Sequence, residues 1–206
     1  MKSLTDSIRK KIKSGFYFGS NAYELKNFFC GIGEAEILEN FIKITNYPFE
    51  PSAVYPEKEI EYHEIAEIHL EKFPPTLKIG DELIFISRNF VDELEAFASR
   101  NNIKTAKRSS NWDWISEPFL DTEFDSKQKL RTFEILAENG ISEKEVLQLR
   151  EEIGEQMYKY NFDTMLWDWC GLGLTDVLSA MRVKLDKEEF NKFYRRAMEI
   201  EQRSQR

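Results

Sequence analysis

Apolar and charged residues alternate along the first half of the chain. Along the second half the apolar positions recur at intervals of three and four. Between Glu59 and Ile103 the two patterns meet. Ile60, Tyr62, Ile65, Ile68 and Leu70 stand among Glu59, Glu61, Glu64, Glu67 and Glu71, an alternation that predicts strands with one wet face. The phase slips near His63–Glu64, which predicts a bend or bulge. Pro74-Pro75 ends the strand, because proline has no N–H to give a ladder. Thr76–Ile79 and Leu83–Ile86 predict a hairpin turning at Gly80-Asp81. Ser87 is placed to cap a helix that buries Phe90, Val91, Leu94 and Phe97, with Asp92, Glu93 and Glu95 outside and Asn101-Asn102 at its end. Upstream, Glu36–Leu38 and Phe41–Ile44 predict an earlier hairpin across Glu39-Asn40, and Asn21 with Glu24 reads as a helix start.

The polar, basic stretch Lys104–Ser110 reads as a link, which divides the chain into a β-rich domain over 1–103 and a helical bundle over 104–206. Trp112 and Trp114 are expected to anchor that link. Asp125 with Gln128 forms a capping pair, and Leu130, Phe133, Leu136 and Ala137 define the face of the helix that follows. Asn139-Gly140 stops it, with Ile141 placed for the contact after a glycine cap. Ser142 with Glu145 opens a second helix carrying Val146, Leu149, Ile153, Met157 and Tyr160. Asp186 with Glu189 opens the last, with Phe190, Phe193, Tyr194, Ala197 and Ile200 on one face. The helix–turn–helix around Asn139-Gly140 is not a DNA reader. Its second helix sets Glu143, Glu145, Glu151, Glu152 and Glu155 against Lys144 and Arg150, and phosphates would repel it.

The run EIEYHEIAEIHLEKFPPTLKIGDELIFISRNFVDELEAFASRNNI, with the hairpin before it, resembles the second half of a bacterial pleckstrin-homology-like domain. The resemblance covers roughly the first half of the chain and is one of pattern rather than of signature residues. It implies an α+β fold: an antiparallel barrel or sheet with one closing helix, followed by an all-α region. An unrelated sheet crossed by one helix fits the same pattern. The resemblance implies ligand or protein binding rather than catalysis, and a sheet edge or the groove beside the closing helix would suit a peptide. Phosphoinositide binding is not carried over, because the first hairpin shows Glu34, Glu36 and Glu39 against Lys43.

A chain of 206 residues with 41% hydrophobic and 14% aromatic content supports a sizeable core. Its formal net charge of −8 argues against nucleic acid and anionic membranes as partners. Cys30 and Cys170 are too few and too far apart for a disulfide framework or a metal knuckle. Residues Met1–Ser14 carry Lys2, Arg9, Lys10, Lys11 and Lys13 without a signal peptide's apolar stretch, and a cytoplasmic protein is expected. Leu4, Ile8 and Ile12 place a short amphipathic helix there, read as packing on the body.

Candidate chemistry concentrates in Asn161–Met181, which holds Trp167, Trp169, Gly171, Gly173 and the polar groups Asp163, Asp168, Cys170 and Asp176. As a site, the rings would wall a pocket, the glycines would admit a ligand to the backbone, and the aspartates or Cys170 would supply the chemistry. As architecture, the same residues are a buried helix, a glycine break and a second helix capped by Thr175. That reading is preferred, because aromatic segments with a cysteine usually form core. Glu57, Glu59 and Glu61 read as a solvated strand edge rather than a calcium site, and His63 with His69 lack a third zinc ligand. No cofactor or metal is implied, and no phosphate loop, nucleophile elbow or HExxH occurs. The leading expectation is a non-catalytic binding or scaffold protein with a peptide or protein partner. Two alternatives are an enzyme or small-molecule binder around 163–176 and a self-associating homo-oligomer.

Overall fold

The computed structural model describes residues 19–120, 126–164 and 171–204. In chain order its elements are α1 (Ala22–Phe28), β1 (Glu34–Ile37), β2 (Phe41–Thr45), β3 (Lys58–Glu61), β4 (Glu67–His69), β5 (Thr76–Ile79), β6 (Glu82–Phe85), α2 (Val91–Arg100), β7 (Lys104–Thr105), α3 (Asn111–Ser116), α4 (Ser126–Glu138), α5 (Glu143–Thr164), α6 (Leu174–Lys184) and α7 (Lys187–Gln202). The fold is α+β, with the sheet region ahead of a helical one. No helix among the described residues is long and apolar enough to cross a membrane. The expected N-terminal helix over Leu4–Ile12 lies outside the described residues, as do Asp125 and the capping pair it was to form.

The chain divides into two compact units that interleave in sequence. The sheet unit takes Cys30–Ser109 and Lys187–Gln202; the helical unit takes Met1–Phe29, Ser110–Asp186 and Arg203–Arg206. The division falls between Ser109 and Ser110, where the sequence pattern put it after Ile103.

In the sheet unit, β1, β2 and β3 form an antiparallel sheet, and the second sheet has the order β6-β5-β4-β7. The slip of phase near His63 is a 3-10 turn, Tyr62–Glu64, at which the chain passes from one sheet to the other. That turn leaves β3 and β4 without a common ladder. Among the described residues no ladder joins the sheets, so of the expected barrel or sheet the barrel is corrected to two open sheets of three and four strands. Gly80 takes φ +54° in the β5–β6 turn, the left-handed conformation that the sequence asked of it. Ser87 caps the short 3-10 turn Arg88–Phe90 ahead of α2. The expected polar link contributes β7, which pairs parallel to β4 with Lys104 opposite Glu67. Ile42, Ile44, Ile60, Ile68, Leu77, Leu83 and Ile84 are buried with Leu94 and Phe97 of α2. Each such side chain contributes roughly 1.5–3 kcal/mol.

α7 completes this core. Its face Phe190, Phe193, Tyr194, Ala197 and Ile200 is buried as the spacing required, but it packs on β6, and the Tyr194 ring lies 6.2 Å from that of Phe49. The expectation that it joins a helical bundle is corrected: the period of three and four fixes the apolar face, not its partner.

In the helical unit, Val146, Leu149, Ile153, Met157 and Tyr160 line the buried face of α5. Gly140 holds φ +76° after α4, the Ile141 N–H donates to Leu136 O at 2.9 Å, and Ile141 is buried. The face of α4 is rotated from the expected one. Thr132 and Leu136 are buried, whereas Leu130 is 61% exposed. The Thr132 hydroxyl turns inward to donate to Glu117 Oε2 at 2.6 Å, a contact hydrophobic spacing cannot foresee. Buried Arg150 donates from Nε to Ile115 O at 2.9 Å and from Nη2 to Trp114 O at 3.0 Å, at the C-terminus of α3. Asn21 and Glu24 form the capping box read from the sequence; Glu24 pairs with Lys159, and Phe28 meets Tyr160 edge-on at 5.3 Å.

Candidate functional site

Asp163 and Asp176 are the described members of the expected pocket; Asp168, Cys170, Trp167 and Trp169 lie outside the described residues. Asp163, near the end of α5, accepts from the Ser20 hydroxyl and ties the segment before α1 to that helix. Asp176 sits in the first turn of α6. Its Oδ2 accepts the Gly173 N–H at 2.9 Å, and its Oδ1 accepts the Tyr160 hydroxyl at 2.8 Å. Burial pushes its carboxyl above the ordinary aspartate range against those two bonds. The helix cap is therefore Gly173 with Asp176, not Thr175 as the sequence reading had it. A Cβ at Gly173 would lie 2.8 Å from Asp113 Oδ1, so a larger residue there would require the Asp113 carboxylate to move. Both described carboxylates hold elements together. Among the described residues, no three His, Cys, Asp or Glu side chains are gathered as a metal would need. The row Glu59 and Glu61 is exposed on the sheet, while His63 lies exposed in the 3-10 turn and His69 is buried in β4, so the two histidines part.

A polar chain centred on His69 runs through the sheet unit. His69 is 2% exposed, with Nδ1 2.9 Å from Thr76 Oγ1 and Nε2 3.4 Å from Glu67 Oε2. Lys104 Nζ lies 2.6 Å from the other oxygen of Glu67 and holds that carboxyl below its ordinary range. Arg108 donates from Nε to Thr76 Oγ1 at 3.3 Å and pairs through Nη1 with buried Glu201 of α7. These partners fix the tautomer. A carboxylate at Nε2 demands N–H there, so Nδ1 accepts from the Thr76 hydroxyl, whose oxygen accepts from Arg108. Burial, aided by the Arg108 charge, pushes His69 down to about 4, so the ring is neutral at ordinary pH. Hydroxyl, imidazole and carboxylate stand in the order of a nucleophilic relay. However, Thr76 is fully buried and its oxygen already serves Arg108, so no substrate carbonyl can reach it. The chain acts as a latch joining β4, β5, β7 and α7. Sequence reading singled out His69 but missed Thr76, Arg108 and Glu201; Arg108 and Glu201 are 93 positions apart, beyond the reach of any local pattern.

One open edge of the sheet unit is the outer side of β1, which among the described residues is hydrogen-bonded to β2 alone. The Leu38 N–H donates to Phe41 O at 3.0 Å across the hairpin, and the register pairs Glu36 with Lys43 and Glu34 with Thr45. Antiparallel bonds fall on alternate pairs, so Glu34 and Glu36 bond to β2. The N–H and C=O groups of Ala35 and Ile37 face away from it. α2 packs beside β1, and Asn101 Nδ2 donates to Glu39 O at 3.1 Å, binding the helix end to the hairpin. Exposed side chains here are mostly acidic: Glu34, Glu36, Glu39, Asp92, Glu93 and Glu95 against Lys43 and Arg100.

Compared with family models, characterised proteins and solved structures, the chain finds no match.

Proposed function

We propose that this chain is a non-catalytic binding or scaffold protein whose sheet unit is a pleckstrin-homology-like module, with a peptide or protein partner docking along the outer edge of β1. The observation that carries the reading is the pair of outward backbone groups at Ala35 and Ile37 with α2 alongside, an arrangement suited to an extended segment adding to the sheet. Seven strands in two sheets among the described residues, with a helix after the sixth, support the family reading. The helix precedes the last strand, and β7 runs parallel to β4, which departs from that family's order. Lipid headgroups are not proposed as ligands, because exposed carboxylates surround the first hairpin.

The test is amide chemical-shift mapping of the full chain against a panel of ten-residue extended peptides of varied composition. Binders should shift the Ala35 and Ile37 amides first. Ala35→Pro, which removes an outward N–H and leaves the bonds to β2 in place, should abolish binding with unchanged circular dichroism. A panel in which no peptide moves these amides disposes of the edge as the docking site.

A further inference from the structure

Resting on that reading of the β1 edge, we infer that the partner is a basic extended segment, with lysine or arginine at alternate positions and apolar residues between them. Side chains alternate across a strand, so β1 offers two different faces to an added neighbour. Glu34 and Glu36 lie on the exposed face; Ala35 and Ile37 lie on the other and are half-buried, on the side of Ile42 and Ile44. A neighbouring strand must match this alternation residue by residue. Its outer positions meet carboxylates, and its inner positions extend an apolar layer.

The charges of the sheet leave that demand unmet from within. Lys43 is the one cation opposite β1, and it is shared: the register sets it between Glu36 on one side and Glu59 on the other. Glu34 faces the uncharged Thr45. α2 adds Asp92, Glu93 and Glu95 on its exposed side. A second copy of this chain pairing through β1 would set Glu34 and Glu36 against the same glutamates, like charges directly opposed. The edge therefore excludes itself as a partner and favours a cationic strand.

The experiment is an anisotropy titration of the full chain with fluorescein-labelled ten-residue peptides of alternating lysine and valine, threonine and valine, or glutamate and valine. A fourth probe is the lysine–valine peptide N-methylated at every residue, which keeps its charge but has no N–H on either edge with which to form a ladder. The lysine–valine peptide should bind about tenfold more tightly than the threonine–valine one, as two or three opposite-charge pairs would give. That preference should shrink in 300 mM salt and vanish in the Glu34→Gln/Glu36→Gln double variant, and the N-methylated probe should not bind. Equal binding of the lysine and threonine peptides, both lost in Ala35→Pro, would overturn the basic partner while leaving the edge as the site. Tight binding of the N-methylated probe, or of no probe at all, would overturn both.

Discussion

At the scale of single residues, His69 and Asp176 show burial acting on charge in opposite directions. His69 is pushed down to about 4 from an ordinary value near 6.5, so the folded state disfavours the proton that the unfolded chain accepts. Its contribution to stability is complete above the unfolded value and shrinks as pH falls from about 6.5 toward 4. Urea unfolding should show a loss of about 2 kcal/mol between pH 7 and pH 5 from this group, at 1.36 kcal/mol per unit. His69→Gln should flatten that slope, and an unchanged slope would remove His69 as its source. Glu67, held low by Lys104, adds a loss of the same sign at more acid pH. For Asp176, Asp176→Ala should destabilise the helical unit by about 1–2 kcal/mol, having removed a cap and a tyrosine bond. Tryptophan emission during unfolding measures it. Intact stability combined with loss of a small-molecule ligand would instead favour a binding site around 163–176.

At the scale of elements, legibility divides by the distance over which each cause acts. The capping box Asn21/Glu24, the hairpin at Glu39-Asn40, the left-handed Gly80 and Gly140, and the stripe Val146 to Tyr160 are local, and the sequence displays each of them. α4 shows where periodicity fails. Leu130 was read as core and Thr132 was passed over, because a hydroxyl bonded to Glu117 packs inward as well as a methylene does. Leu136→Ala should therefore cost about 3 kcal/mol and Leu130→Gln under about 0.5 kcal/mol, by chemical unfolding. Equal losses would restore the face drawn from spacing alone. β7 was invisible for a related reason: two exposed residues, Lys104 and Thr105, carry no alternation, and only Glu67 and Ile68 on β4 give them a register. Of the candidate site, the sequence located Asp163 and Asp176 in a polar segment, but their bonds to Ser20, Tyr160 and Gly173 depend on tertiary placement.

At the scale of the whole molecule, the chain leaves the sheet unit after Ser109, builds most of the helical unit over Ser110–Asp186, and returns as α7. The sheet unit thus depends on residues far downstream, through the Arg108–Glu201 pair, the Gln202 bond to Asp81 O at 2.7 Å, and the packing of α7, with its buried apolar face, beside β6. Deleting Lys187–Arg206 should expose Phe49, Ile84 and Phe85 and collapse amide protection in β5 and β6, as hydrogen exchange would record. Protection that survives the deletion would show that α7 is dispensable to that core. The described tryptophans, Trp112 and Trp114, fall in the helical unit, so their emission reports on that unit. The return of α7 also sets an order in time. During synthesis every strand emerges before the helix that covers β6, and a ribosome adding about 5–20 residues per second needs several seconds to cross Ser110–Asp186. For that interval β6 presents bare apolar surface beside the tunnel exit, a transient target for chaperones that the finished chain no longer displays.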